Sequence, residues 1–278
     1  MADTTADKPS SAVFFRLQTT NMTITKLAFN WAIALLLPFF AVAQQRDSSL
    51  NTTVFSGSVG VTTNGFSIVP TFSLNSSAGL FFLSWKKNKF SIDPDIRLTP
   101  DGRKGGILLW FRYQAVDEKK FSLRVGAHPA LNFQIRKITD NNTTTSITQM
   151  RRFLAGEVAP TYHITKNWNV GVYYLQGHGL QKDGPQTTHF ITLNSGIANI
   201  KLGGPLRLAI NGAVYYLRLD GYEGRYYTAT TTLSHTKIPF SLQGAMNKTI
   251  RSNLPGNKDF LSTVTLFYNF SKTFYRVK

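Results

Sequence analysis

Residues 121–136 read FSLRVGAHPALNFQIR. Phe121, Leu123, Val125, Ala127, Pro129, Leu131, Phe133 and Ile135 occupy one parity, and Ser122, Arg124, Gly126, His128, Asn132, Gln134 and Arg136 occupy the other. In a strand successive side chains point to opposite faces, so this stretch presents one apolar and one polar face. Its length decides the fold. Strands of soluble proteins run to about 5–6 residues, whereas crossing a bilayer takes about 9–11, and this run exceeds both. Only Pro129 and Ala130 sit awkwardly in the pattern.

The same alternation recurs along the chain. In 90–98, Phe90, Ile92, Pro94, Ile96 and Leu98 alternate with Ser91, Asp93, Asp95 and Arg97. In 66–74, Phe66, Ile68, Pro70, Phe72 and Leu74 oppose Ser67, Thr71 and Ser73. Further strands are predicted over 78–86, 107–115, 147–164, 168–176, 187–200, 206–219, 226–234, 239–248 and 260–270. With the three already described this makes twelve, an even number as single-chain bacterial barrels require. Residues 54–62 also alternate, but out of phase with 66–74 across Asn64-Gly65, which reads as a tight turn or as a bulge in one long first strand. The count of twelve takes 54–62 as an extension of the strand at 66–74.

Connections alternate in length, as a barrel with short periplasmic turns and longer outer loops demands. The short ones are 87–88, 117–119, 166–167, 203–204 and 236–237. The longer ones are 99–105, 140–145, 178–185, 220–224 and 251–258. The expected fold is therefore an all-β antiparallel transmembrane β-barrel, most simply of twelve strands, with aromatic girdle residues near strand ends (Trp85, Tyr113, Tyr162, Trp168, Phe270). Alternation alone does not say which face meets the solvent, so a soluble β-sandwich with its apolar face inward is the competing architecture.

Ahead of the strands, residues 27–40 are almost continuously apolar and are followed by Ala41-Val42-Ala43. Lys26, the apolar centre and the small residues form a signal-peptide layout with cleavage expected after Ala43. Fourteen apolar residues fall short of the ~20 that a membrane-spanning helix needs. Residues 1–21 read as an upstream extension with translation starting at Met22, residues 22–43 as the signal peptide and residues 44–278 as the barrel. A protein exported this way is expected in the outer membrane, in contact with its lipid.

The formal net charge of +17 raises nucleic acid as a partner. The basic residues are dispersed among apolar ones or placed singly in turns (Lys86, Lys87, Lys89, Lys119, Lys120, Lys166, Lys237), not clustered as a nucleic-acid surface requires, so no nucleic-acid partner is expected. With 21 Phe, 11 Tyr and no Cys, the chain is neither disordered nor a disulfide-stapled module.

The signal peptide, Gln44 immediately after its cleavage site, and the final strand with Val264, Leu266, Tyr268 and Phe270 together resemble outer-membrane β-barrel proteins of Bacteroidetes-type bacteria. The resemblance implies recognition of this last strand by barrel-assembly machinery during biogenesis. Eight residues follow Phe270, which departs from the usual aromatic ending. The resemblance carries no reaction and no solute.

With the apolar face outward, the lumen receives Asp93, Asp95 and Arg97 from one strand, Arg112, Arg124 and Arg136 from the next two, and Arg151, Glu157 and Arg207 from later ones. Six arginines against three acids suggest a pore lining that favours anions; pairing of the same charges across strands is the alternative. The chain then serves as a passive channel for small polar or anionic solutes, or else as a closed barrel whose loops, such as 140–145, bind a surface partner or polysaccharide. A membrane-embedded lipid hydrolase has no local signature. His189 and Ser195 share a face but lie about 20 Å apart along it, and Ser234 and His235 point to opposite faces. The five histidines (His128, His163, His178, His189, His235) show no ligand spacing, so no metal, cofactor or catalytic residue is expected.

Overall fold

A computed structural model describes residues 52–67, 72–140 and 143–275. The extension, the signal peptide and its cleavage site all lie outside these residues. Twelve antiparallel strands, each pairing with its neighbours in sequence, form a closed barrel sealed by β1 against β12. They are β1 (Thr52–Thr62), β2 (Ala78–Lys87), β3 (Phe90–Leu98), β4 (Gly105–Asp117), β5 (Phe121–Asp140), β6 (Thr143–His163), β7 (Trp168–Gly179), β8 (Thr187–Gly203), β9 (Leu206–Leu219), β10 (Tyr222–His235), β11 (Phe240–Ser252) and β12 (Phe260–Tyr275). Closure leaves no unpaired edge, which is the condition for a sheet to stand in lipid.

The apolar parity faces outward. Leu193 and Val214, paired across β8 and β9, are about half exposed, as are Leu154, Leu242, Val264 and Leu266 around the wall. That excludes the sandwich. Near the short turns the outward positions become aromatic, with Phe55 opposite Trp85, Phe90 opposite Tyr113, Phe121 opposite Tyr162, and Phe240 opposite Tyr268. Apolar side chains at mid-wall and an aromatic rim at one end are the exterior of an outer-membrane barrel. An arginine at Val214 is expected to lower folding stability in lipid by about 2–4 kcal/mol, and an arginine at the inward Ala213 by less. Urea titration in vesicles measures both, and equal losses would contradict the assignment of faces.

Prolines fit this wall at a local cost. Pro94, Pro129 and Pro160 sit on three strands, and each coincides with a two-residue gap in one ladder, β2–β3, β4–β5 and β6–β7 respectively. Proline lacks the N–H that the neighbouring strand would accept. The opposite ladder of each strand stays paired through the proline, with Pro94 against Leu109, Pro129 against Leu154 and Leu123 against Pro160. A run containing proline therefore remains a strand here.

Two expectations are corrected. The first strand is Thr52–Thr62, and the described residues of the segment at 66–74 are not in a strand. Thr62 pairs directly with Ala78, so the described residues 63–67 and 72–77 belong to the β1–β2 loop. Phe66 and Phe72 line spaces in the lumen, and Leu74 is 1% exposed. The second concerns the outer loop at 140–145. β5 and β6 pair without interruption from Phe121↔Tyr162 to Asp140↔Thr143, so this region is the tip of one long ribbon. Beyond Phe133 on β5 and Phe153 on β6 neither strand pairs with another strand, and the ribbon is met by loop groups among the described residues, including Leu180 N–H donating to Arg152 O and Arg103 donating to Ser146 O.

Candidate functional site

Eight strands give a barrel that side chains fill, and sixteen or more leave an open channel. Twelve strands fall between, so what the loops and inward side chains do decides whether a passage exists.

On the β2–β6 side the lumen carries an ion-pair cluster. The Arg97 guanidinium grips Asp95 with two parallel bonds of 2.8 Å. The fork geometry makes this the strong form of the pair. Arg112 donates from Nε to Glu157 Oε1 at 2.9 Å and from Nη1 to Asp93 Oδ2 at 3.0 Å, and Arg124 Nε reaches the same Glu157 oxygen at 3.0 Å. Ser84 and Ser91 donate to the two oxygens of Asp93. The Glu157 side chain is fully buried. Three arginines thus meet three carboxylates, and the cluster carries no net charge.

The other three arginines lie elsewhere. Arg136 and Arg151 approach Asp183 of the β7–β8 loop at 3.5 and 3.7 Å, and Gln149 donates to the same carboxylate. Arg207 bonds its own turn, donating to the carbonyls of Gly204 and Leu206 at the short-turn end. Asp183 escaped the sequence reading because a loop residue has no strand parity. Six of the nine expected charges, Asp93, Asp95, Arg97, Arg112, Arg124 and Glu157, come together. The ring of unpaired arginines on which an anion preference would rest does not form at mid-barrel.

The part of the opposite wall, β8 to β12, that lines the mid-barrel cavity carries no charged side chain. Toward the long loops Phe190, Tyr215, Leu217, Leu219 and Tyr226 pack with Leu254, which the β11–β12 loop sends inward. The rings of Tyr215 and Tyr226 stack at 4.8 Å, and their hydroxyls donate to Asn247 and Asn257. Closer to the middle the lining changes to Thr192, Asn194, Thr228, Thr230, Gln243 and Thr265.

The described residues of the β1–β2 loop, 63–67 and 72–77, lie between these walls. The loop closes on itself through Gly65 N–H to Ser76 O and Leu74 N–H to Gly65 O, both 2.8 Å. Gly65 permits this approach, since a Cβ there would stand 2.9 Å from the Leu74 side chain. Asn75 takes the left-handed conformation (φ 52°) that the reversal needs. Lys104 Nζ donates to Leu74 O at 2.6 Å, and Phe72 packs on Phe153 of β6 with ring centroids 5.4 Å apart. Asn64 to Ser67 line a cavity of about 580 Å³ toward the middle of the barrel. Ser73 and Asn75 line a vestibule of about 500 Å³ under the long loops. These described residues thus stand between the two cavities and narrow the lumen.

The vestibule's rim has its own clamp. Asp220, at φ 52° between β9 and β10, accepts the amide N–H of Thr187 at 2.7 Å and of Gln186 at 3.0 Å, and the Thr187 hydroxyl at 3.0 Å. Burial pushes this carboxyl up, but the three donors outweigh it and hold it below its ordinary value of 3.8. A depressed carboxylate contributes its stability above the unfolded value and loses it as pH falls through the lower folded value. Exchange protection of the Gln186 and Thr187 amides is therefore expected to survive at pH 4 and vanish in stronger acid, and Asp220→Asn should weaken it already at neutral pH. Protection that fades between pH 6 and 4 would contradict the clamp.

The pairs considered for hydrolysis do not assemble. Ser195 accepts from Trp168 Nε1 and donates to the carbonyl of Asn169, His189 Nδ1 meets the Tyr174 hydroxyl, and Ser234 donates to the carbonyl of Arg207. A serine–histidine contact not foreseen, His163 Nε2 to Ser122 Oγ at 3.2 Å, joins residues 41 positions apart. Among the described residues no group of three or more histidine, aspartate or glutamate side chains is placed to hold a metal ion.

No protein-family model and no curated protein matches the chain. Solved structures similar to it include an outer-membrane channel from Pseudomonas putida F1, at 11% identity and a TM-score of 0.47 over 82% of this chain and 98% of that one. The KdgM porin in complex with disordered oligogalacturonate is similar at 10% identity and a TM-score of 0.46, over 78% and 99% of the two chains. The NanC porin is similar at 12% identity and a TM-score of 0.42, over 80% and 100%.

Proposed function

We propose that the chain is an outer-membrane channel for small polar solutes, narrowed by the inward loop at 63–77. The observation that carries this reading is the pair of spaces in the lumen, about 500 Å³ and 580 Å³, met by the two sides of a single loop. A barrel closed for purely structural reasons would be filled by side chains at protein density. Here the lining at mid-barrel mixes hydroxyl and amide groups with aliphatic and aromatic side chains around a space large enough for a small molecule.

The described residues of the loop are tied to the barrel by scattered bonds, from Thr263 and Val264 at residues 63–64, Arg97 to Phe66 O, Gln134 to Ser73 O and Lys104 to Leu74 O, and by the Phe72–Phe153 ring contact, whereas the wall beside them is held by continuous ladders. Export behind the segment at 22–43 and contact with outer-membrane lipid belong to the same reading, and the outward apolar wall with its aromatic rim supports it. Single-channel recording of the purified barrel in planar bilayers tests the proposal. Small, discrete conductance steps are expected. Correctly folded protein that inserts without any conductance would overturn it in favour of a closed barrel that binds ligands with its outer ribbon and loops.

A further inference from the structure

The charge balance and the chemistry of the mid-barrel cavity together point to a class of solute. Arg97 and Arg112 are its cationic lining residues. Arg97 is neutralised by Asp95, and Arg112 by Asp93 and Glu157. Each guanidinium also lies over an aromatic face, Arg97 over Phe82 at 5.3 Å and Arg112 over Trp110 at 4.2 Å. Such groups still offer N–H donors but no net attraction for an anion. Across the cavity Thr192, Asn194, Thr228 and Gln243 supply donors and acceptors without charge, beside the rings of Tyr173 and Phe190.

Two polar atoms in this lining are buried without a hydrogen-bond partner in the protein, Asn64 Oδ1 and Thr192 Oγ1, and Thr192 as a whole is 8% exposed. A buried, unpaired polar group costs about 1–3 kcal/mol, so a side-chain rotation that turns these atoms to the cavity surface lets a solute's hydroxyls recover that cost. One stands on the loop and the other on β8, and both residues line the same cavity. Aromatic faces against apolar C–H surfaces, amides and hydroxyls against O–H groups, and no net charge are the complement of a neutral polyhydroxylated molecule.

We infer that this cavity selects neutral polyhydroxylated solutes of monosaccharide to disaccharide size. The inference rests on the channel reading for transport but not for binding, and the test separates the two. Glucose, glucuronate and glucosamine share one ring and differ in charge. Their binding to the purified barrel in detergent is measured by calorimetry, and their uptake by liposome swelling. Glucose is expected to bind and to enter several-fold faster than either charged analogue. Thr192→Val, which keeps the shape and removes the hydroxyl, is expected to weaken glucose binding about fivefold to tenfold, while the outward Leu193→Val leaves it unchanged. Glucuronate preferred over glucose, all three alike, or no glucose binding at all would overturn the inference. Glucose binding without uptake would uphold it and overturn the channel instead.

Discussion

Replacing Glu157 with glutamine is expected to destabilise the barrel by about 3 kcal/mol, the low end of the range for breaking a buried ion pair from one side. Glu157 is shared by two arginines, Arg112 and Arg124, which come from two successive strands. Its side chain is fully buried, while that of Arg124 is 41% exposed and that of Arg112 keeps Asp93. Lumen water therefore relieves part of the loss, which places the value at the low end. The amide of glutamine still accepts one hydrogen bond, so the effect is mainly loss of charge. Removing Arg124 as well should recover part of the stability, since neighbours in one network are not additive. Urea unfolding in lipid vesicles, followed by tryptophan fluorescence, gives the two values. A loss below about 1 kcal/mol, as surface pairs show, would mean that the cluster does not organise β3 to β6.

Replacing residues 64–76 by a short Gly/Ser turn is expected to raise single-channel conductance several-fold while leaving the barrel folded. Thr62 and Ala78 already face each other at the end of the β1–β2 ladder, so a tight turn closes the hairpin without shifting its register. What is removed is the narrowing: Leu74, Phe72 and the loop's share of both cavities. Heat-modifiable gel mobility checks that the variant is a barrel. The solute size limit should rise with the conductance, because both report the same constriction.

The architecture was legible because its determinants are local. Period-two alternation marks a two-faced strand wherever it occurs, and the turns at 87–88, 117–119, 166–167, 203–204 and 236–237 stand where β2–β3 to β10–β11 connect on the short side. Gly203 and Gly204, both at positive φ, are the kind of turn residues that announce themselves. The same rule failed at 66–74. Phe66, Phe72 and Leu74 alternate as well as any strand, but a period of two says only that a segment has an apolar face, and here that face packs into the lumen instead of lying in the wall. Which segment pairs with β12 and β2 is a long-range fact, fixed by the ladder from Thr52↔Tyr275 to Thr62↔Thr265.

The site was legible in part for the same reason. Parity placed Asp93, Asp95, Arg97, Arg112, Arg124 and Glu157 on one face, but strand register, which parity leaves open, decides that Arg112 reaches both Asp93 and Glu157. Counting six arginines against three acids overlooked Asp183, supplied by a loop, and the local turn that holds Arg207. A sum over the chain therefore overstated the free positive charge in the lumen. The neutral wall of Thr192, Thr228 and Gln243 gave no signal at all, since threonine and glutamine on the polar face of a strand look the same whether they line a cavity or meet bulk water.

The central claim is that the described residues of the β1–β2 loop, 63–67 and 72–77, narrow a lumen that would otherwise conduct freely. Paired recordings of the unaltered barrel and the loop-replaced barrel in planar bilayers, at the same salt and voltage, test it most directly. The account predicts small discrete steps for the first and several-fold larger ones for the second. Equal conductances, or silence from both although each migrates as a folded barrel, would contradict it.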